Sequence, residues 1–241
     1  ADITGQAIMH VLYEQLMKYS EQITRYEEWF SSSLAIDENG ECCGVVTRNV
    51  ADGSMELFQA KSVILATGGS GQIWKPTTNA LICTGDGIAM AYRVGAKLMD
   101  MEMIQYHPTT LAGKGFLITE GARGEGAHLL NKNGERFMEK YAPNKMELAS
   151  RDVVSRAEQT EINEGRGFPD GTVALDITVV PRKRVHEALR EIVLVGRDFA
   201  GVDITREPIH IKPGNHYTMG GVKTDVDGRT DIPGLYSAGE T

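Results

Sequence analysis

Residues 101–151 begin with MEMIQYHPT (101–109), continue through LITEGARGEG (117–126) and end with ELASR (147–151). This stretch brings together a histidine, a threonine beside a glutamate, arginines and several glycines. Arginine, histidine and hydroxyl groups are the donors that hold carboxylates in proteins. The stretch therefore offers groups that can bind a dicarboxylate and move a proton.

An apolar run, SVILA (62–66), stands directly before a glycine-rich turn, TGGSG (67–71). A continuous apolar run predicts a strand buried on both faces, as in a parallel sheet. Glycines at the carboxyl end of such a strand let the backbone approach a ligand. Further on, TGDG (84–87) opens a predicted helix at 88–94. Taken alone, the Thr-Gly-Gly turn is weak evidence for a nucleotide-binding site, because it also fits an ordinary tight turn.

The other predicted elements before residue 104 come from periodicity. Apolar residues at three- and four-residue spacing predict an amphipathic helix at 3–18. Short strands at 29–36, 42–48 and 55–60, separated by Asn-Gly and Asp-Gly turns, predict an antiparallel meander. Residues 97–103 are predicted to form another strand.

In the second half of the chain, the sequence pattern predicts a different mixture of helices and strands from that in the first half. Helices are expected at 150–162 and 182–195, with a short strand at 173–176 between them. After Pro-Gly-Asn (213–215), we expect a strand-like run at 216–224 and a buried strand at 235–240. Both are expected to belong to the same domain as the beginning of the chain.

Composition limits the classes of function. The chain has 241 residues and a formal charge of −8, which argues against a nucleic-acid partner. The longest apolar runs fall short of the roughly 20 residues that a membrane helix needs. Three cysteines do not form a disulfide framework, and the common protein metal-site motifs are missing from the sequence. A protein-held metal is therefore not expected.

The quoted segments, together with HYTMGG (216–221) and YSAGE (236–240), resemble the flavoprotein subunit of succinate dehydrogenase and fumarate reductase. The resemblance covers nearly the whole chain. It implies a mixed α/β and α+β fold, part of an FAD-binding Rossmann-like flavoprotein domain with an inserted capping domain. Residues 1–103 and 213–241 would form the discontinuous FAD-binding part, and 104–212 the capping domain.

The resemblance implies roles for substrate-binding residues. His107 and His216 match the histidines that hold the substrate carboxylates, and Thr119 matches the hydroxyl donor. The activity implied is hydride transfer between succinate or fumarate and FAD.

The resemblance also implies that Arg151 exchanges a proton with the substrate and that Glu120 and Arg123 relay it to solvent. A guanidinium normally stays protonated, with a pKa above about 12, so the residues alone favour Glu120 as the acid. Glu120 and Arg123, three residues apart, also fit an ordinary surface ion pair.

The cofactor implied is FAD, and the matching positions lie in three turns: Ala66, Thr67, Gly68, Gly69, Asp86 and Glu240. Asp86 also fits a helix N-terminus that favours negative charge. By the same resemblance, the partners are an iron–sulfur subunit and membrane-anchor subunits. The location implied is peripheral, on the cytoplasmic or mitochondrial matrix side of a membrane.

The sequence also departs from the family pattern. The Gly-x-Gly-x-x-Gly turn for the flavin pyrophosphate, the His-Thr segment for covalent flavin attachment and a later Asn-Arg-Leu-Gly segment do not occur in it. We therefore expect a fragment that binds FAD weakly or not at all and does not turn over. L-Aspartate oxidase, a related flavoenzyme, and a non-catalytic scaffold with the same fold remain alternative interpretations.

Overall fold

The computed structural model describes residues 3–241. The chain divides into two compact units. Unit 1 comprises residues 3–20, 74–78 and 105–216, and unit 2 comprises 21–73, 79–104 and 217–241. The domain boundaries implied by the resemblance stay a prediction.

The α-helices in residues 3–241 are α1 (Thr4–Lys18), α2 (Asp86–Arg93), α3 (Glu120–Gly124), α4 (Met138–Tyr141), α5 (Arg151–Asn163), α6 (Arg182–Ala188) and α7 (Arg190–Val195). The strands are β1 (Trp29–Ile36), β2 (Cys42–Asn49), β3 (Met55–Gln59), β4 (Val63–Leu65), β5 (Leu98–Met99), β6 (Ile104–Leu111), β7 (His128–Leu130), β8 (Val173–Asp176), β9 (Ile209–Thr218), β10 (Gly221–Val222) and β11 (Leu235–Ser237).

In unit 2, the predicted meander is confirmed: β1, β2 and β3 pair antiparallel in chain order. The Asn-Gly turn between β1 and β2 is closed by Asp37, whose Oδ1 accepts the N–H groups of Asn39 and Glu41, each at 2.9 Å. Gly40 has φ +80°, which glycine adopts at little steric cost.

Strands β4 and β11 form a parallel pair in unit 2, with Leu235 opposite Val63 and Ser237 opposite Leu65. Val63, Leu65 and Leu235 point into the core of this unit. The expectation that this strand is buried on both faces was wrong, because Ile64 is 68% exposed. The described residues cover only one face of the two-stranded sheet.

The strand predicted at 97–103 is much shorter than expected. Only β5 pairs, with β10, over two residues of each strand. Asp100 follows with φ +52°, a left-handed conformation that ends the extended backbone.

Unit 1 is built on a four-stranded sheet in the order β6-β9-β8-β7. β8 occupies the predicted residues, and β7 and β9 pair with it antiparallel. Its apolar side chains, with those of α5 and α6, form the core of the unit, which includes Ile118, Leu129, Val154, Leu175, Val185, Ile209 and Ile211. The sheet and α5 therefore give the candidate site residues of unit 1 a rigid support.

Two predicted elements in the second half of the chain were wrong in their bounds. The helix at 182–195 is two helices, because Leu189 leaves helical geometry (φ −125°, ψ 40°) while its side chain is buried. The strand predicted at 216–224 begins at Ile209 instead. Ile209 and Ile211 are buried and pair with β8, and the same strand continues through Pro213 and Gly214 to Thr218.

The predicted first helix is confirmed as α1, although none of its residues is buried. Ile8, Val11 and Leu12, which define its apolar face, are each more than half exposed. In the part of the chain that the structure describes, α1 and the other helices are too short or too polar to cross a membrane.

Candidate active site

Thr119 is the N-cap residue of α3. Its side-chain oxygen accepts the N–H of Gly121 at 3.3 Å, as an N-cap residue does. Glu120 is then the first helical residue, where negative charge is favoured by the exposed N–H groups of the helix. Because the threonine oxygen acts as acceptor in this bond, its O–H remains able to donate.

Arg151 links two segments of unit 1. It is the first residue of α5, and its Nε donates to Oε2 of Glu120 at 3.0 Å. Its Nη1 donates to Oε1 of Gln105 at 2.9 Å. Two hydrogen bonds on separate nitrogens fix the plane of the guanidinium, while a third of the side chain stays exposed.

Arg123 lies behind the same carboxylate. Its Nη2 is 3.8 Å from Oε2 of Glu120, the oxygen that Arg151 contacts. The side chain is fully buried, and Nη1 donates to the backbone oxygen of Glu147. Burial lowers the pKa of Arg123, and the charge of Glu120 acts in the opposite direction. The structure therefore brings the three predicted relay residues together in the order Arg151, Glu120, Arg123.

His107 is buried on β6 in a defined tautomer. Its Nδ1 accepts the backbone N–H of Thr109 at 3.2 Å, while the Thr109 hydroxyl donates to the oxygen of Ile118 at 2.6 Å. The proton of the neutral ring is therefore assigned to Nε2. Burial, followed by the nearby His216, lowers the pKa of His107 to about 2. The imidazole stays neutral at physiological pH and presents one N–H donor.

His216 stands beside His107, with ring centroids 5.0 Å apart in an edge-to-face arrangement. It lies on β9, and its Nδ1 is 2.7 Å from the hydroxyl of Thr78. Burial lowers its pKa, and the charge of Arg151 acts in the same direction. The two predicted substrate histidines therefore form one pair in unit 1, influenced by the positive charge of Arg151.

These side chains make a site that suits an anion. Two neutral imidazoles and a threonine hydroxyl supply donors without adding charge, and Arg151 adds a partly exposed cation. Arg151 and Arg123 face the carboxylate of Glu120, so the cluster carries more positive than negative charge around that group. It can hold carboxylates and carry a proton along one line of side chains.

The predicted cofactor residues lie in unit 2. Residues 66–69 follow β4, Glu240 follows β11, and Asp86 is the first residue of α2. The backbone N–H of Thr67 donates to Oγ1 of Thr241 at 2.8 Å. The N–H of Thr218 donates to Oε1 of Glu240 at 2.7 Å. These bonds hold three segments together: the 67–70 turn, the start of the 217–222 segment and the 238–241 turn. The 217–222 segment and the 238–241 turn line a cleft of about 220 Å³.

Glycines let these turns approach one another. A Cβ on Gly69 would lie 2.3 Å from Oε1 of Glu240, and one on Gly87 would lie 1.9 Å from Oγ1 of Thr67. Gly68 has φ +76° and open space beside it. Ala66, Thr67 and Asp86 are exposed, and the Asp86 carboxylate accepts the Thr84 hydroxyl at the start of α2. An exposed turn in which glycines permit close backbone approach fits a flavin nucleotide.

Comparison with known proteins decides the family. The family described as FAD binding domain matches residues 1–241. The protein belongs to the FAD binding domain family. This membership confirms the predicted cofactor, FAD, and the predicted class of fold.

This FAD binding domain protein is similar to several succinate dehydrogenase and fumarate reductase subunits. It is 50% identical to the succinate dehydrogenase flavoprotein subunit of Rickettsia bellii, over 96% of this chain and 39% of the relative. It is 44% identical to the fumarate reductase flavoprotein subunit of Mycobacterium tuberculosis, over 100% of this chain and 43% of the relative. The chain therefore spans about two fifths of the length of these relatives.

Solved structures agree with this relationship. A structure of E. coli quinol fumarate reductase carrying a point mutation matches with a TM-score of 0.95 and 40% identity, over 100% of this chain and 43% of that one. The FAD binding domain protein therefore resembles part of a larger flavoprotein, and the predicted resemblance is confirmed.

Sequence reasoning missed several residues that the structure places in these clusters. Gln105 accepts a hydrogen bond from Arg151, and Thr78 contacts His216 from a distant part of the chain. In unit 2, Ser70 and Thr218 meet through their hydroxyls at 3.2 Å. Gln105 lies two residues before His107, so alternation along β6 could have drawn attention to it. Thr78 and Ser70 carry no local signal.

Proposed function

We propose that this chain is the part of a succinate dehydrogenase or fumarate reductase flavoprotein subunit that holds the dicarboxylate and exchanges its proton. The observation that carries the proposal is the bridge made by Arg151 between Glu120 and Gln105, with buried Arg123 behind the same carboxylate oxygen. This arrangement gives a partly exposed donor connected to further proton-carrying groups.

The substrate is held by groups that stay neutral. His107 donates from Nε2 to a substrate carboxylate, and His216 and Thr119 supply further donors. A neutral imidazole is a much weaker acid than an imidazolium. It therefore donates a hydrogen bond to an anion without competing with Arg151 to protonate the substrate. When bound, FAD supplies the hydride chemistry through its flavin ring.

The proton moves along the relay. In fumarate reduction, an N–H bond of Arg151 breaks and a C–H bond forms at the substrate carbon. Arg151 then recovers a proton through Glu120 from Arg123, and Arg123 takes up a replacement proton from solvent before the next turnover. Burial lowers the pKa of Arg123 and makes it a better proton donor than an exposed arginine. Succinate oxidation uses the same groups in reverse.

The proposal is tested by turnover in the complete, FAD-loaded flavoprotein subunit. We expect dye-linked oxidation of succinate and reduction of fumarate, and little oxidation of L-aspartate. Aspartate oxidation without succinate oxidation would replace this proposal by the L-aspartate oxidase alternative. A complete subunit that takes up no flavin would favour the non-catalytic scaffold.

A second prediction concerns the 241-residue chain on its own. We expect weak FAD binding or none, and no succinate turnover, because the glycine-rich pyrophosphate turn does not occur in its sequence. Titration of the purified chain with FAD, followed by flavin fluorescence and absorbance, measures this directly. Tight one-to-one binding would show that the 66–69 and 238–241 turns suffice to hold FAD.

The family relationship also motivates a proposal about partners. Related structures include a quinol-fumarate reductase with menaquinol molecules. We propose that the complete subunit pairs with an iron–sulfur subunit on membrane-anchor subunits, at the cytoplasmic or matrix face of a membrane. Co-purification of the complete subunit from membranes, before and after a salt wash, tests this association.

A further inference from the structure

Glu158 is a buried carboxyl group that the proposed mechanism does not use. It lies on α5, is fully buried, and neither of its carboxyl oxygens has a hydrogen-bond partner within residues 3–241. Buried side-chain oxygens nearly always have a partner. Glu158 is therefore an exception to this rule within the described residues.

The position of Glu158 connects it to the relay. Glu158 lies seven residues after Arg151 on the same helix, which places both on one face two turns apart. Glu158 also interacts electrostatically with Arg123, whose Nε and Nη2 lack hydrogen-bond partners among the described residues. A buried carboxyl group and a buried guanidinium therefore interact electrostatically without a hydrogen bond between them.

The physical state of Glu158 follows from its surroundings. An ionised carboxylate is very costly to bury unless it is paired and hydrogen-bonded, and it takes up a proton instead. Burial raises the pKa of Glu158 well above its ordinary value, and the charge of Arg123 only partly opposes this. Burial therefore favours the neutral, protonated form of Glu158.

We propose that Glu158, a buried carboxyl group without a hydrogen-bond partner two turns along α5 from Arg151, is a positioning residue of the proton relay that acts through its charge on Arg123. This inference rests on the proposed function. The charged groups acting on Arg123 are Glu120, Glu158, Arg151 and Glu147. Arg136 already holds both oxygens of Glu147. Glu158 is thus the neighbour whose ionisation would add an uncompensated negative charge beside Arg123.

The expected consequence is a dependence of turnover on pH. While Glu158 is neutral, Arg123 keeps its full charge and acts as a proton donor to Glu120. When pH rises and Glu158 ionises, its negative charge holds the proton on Arg123 more tightly and weakens the field that attracts a dicarboxylate. Both effects lower kcat/KM on the alkaline side.

The test compares Glu158→Gln with wild type in the complete FAD-loaded subunit. Glutamine resembles the neutral acid in shape but does not ionise. We expect kcat/KM for fumarate within about threefold of wild type at neutral pH, and an alkaline limb displaced upward by about one pH unit or more. The infrared spectrum of wild type minus variant at neutral pH should contain the carbonyl stretch of a protonated carboxylic acid.

Two variants serve as controls. Glu158→Met is also uncharged and should keep the upward displacement, which covers the case that the glutamine variant folds poorly. Glu161→Gln changes a second buried glutamate of α5, about one turn after Glu158. The carboxylate of Glu161 accepts hydrogen bonds from Arg166. This variant should lower thermal stability and leave the pH profile unchanged.

The outcomes separate the two proposals. An acid band together with a displaced alkaline limb supports the role of Glu158. Normal turnover with no acid band, or with superimposable pH profiles, overturns that role alone. Loss of activity at neutral pH in both uncharged variants shows that Glu158 is an ionised partner of Arg123, which also overturns it. A complete subunit that binds FAD and acts on neither succinate nor fumarate overturns the proposed function, and the relay role with it.

Discussion

Replacing Arg151 by glutamine in the complete flavoprotein subunit is expected to lower kcat for succinate and fumarate by about 10³-fold or more, while the flavin absorbance spectrum stays unchanged. General acid–base groups contribute factors of about 10² to 10⁴, and Arg151 also lies where it can attract the substrate. The variant loses the N–H bond that breaks in the proposed proton transfer. It also loses the cation that Glu120 contacts at 3.0 Å.

Arg151→Lys tests whether charge alone is enough. Lysine keeps the positive charge, but it cannot reproduce the planar guanidinium whose Nε and Nη1 bind Glu120 and Gln105 at once. We expect this variant to be nearly as inactive as the glutamine variant. A lysine variant with close to full turnover would show that the relay geometry is unnecessary.

Arg156→Gln is the matched control for both variants. Arg156 lies on the same helix, is 74% exposed and pairs only with exposed Asp152 in the described structure. Its replacement should leave kcat and KM unchanged, since exposed ion pairs contribute little. If Arg151→Gln retained wild-type turnover, the proton-transfer mechanism proposed for this site would be wrong.

The fold was predictable where one local signal determined it. The Asn-Gly turn sets the meander of β1 to β3, and the apolar run before Thr67 identifies β4. Where long-range pairing decides, local signals failed. β5 pairs with β10 over only two residues, and β9 begins at Ile209, well before the predicted start, because Ile209 and Ile211 pair with β8. Such pairing depends on residues far away in sequence.

The candidate site was predictable only in part, for a similar reason. Glu120 and Arg123 lie within one short segment, and their closeness follows from helical spacing. The contact of Arg151 with Glu120 spans 31 residues, and that of Thr78 with His216 spans 138 residues. Resemblance to a family suggested the first contact; the second required the folded structure. The buried state of Glu158 also depends on neighbours that the helix pattern does not reveal.

A second large effect is expected at Glu161, a residue of unit 1 outside the candidate site. Its carboxylate accepts hydrogen bonds from Arg166, Asn131 and Tyr141 at 2.6–2.9 Å, and its side chain is 1% exposed. Glu161→Ala leaves these donors without their shared acceptor. Removing one partner of a buried charge network typically costs about 3–5 kcal/mol, which we expect to measure as a lower free energy of unfolding in urea.

Glu164→Ala is the matched control, because Glu164 bonds to the same arginine but is 52% exposed. We expect it to cost less than about 1 kcal/mol. Equal losses in the two variants would show that burial of Glu161 does not strengthen its bonds.

The Glu161 network should also make stability depend on pH. Hydrogen bonds from Arg166 lower the pKa of Glu161 from 4.5 to about 2, despite the opposing effect of burial. Because the folded state binds this proton more weakly than the unfolded state, the stabilisation is fully present above pH 4.5 and is lost as pH falls towards 2. The difference in unfolding free energy between wild type and Glu161→Ala should therefore be largest near neutral pH and shrink through this acid range. A difference that stays constant from neutral pH to pH 2 would mean that Glu161 stabilises the fold by packing and not through its charge.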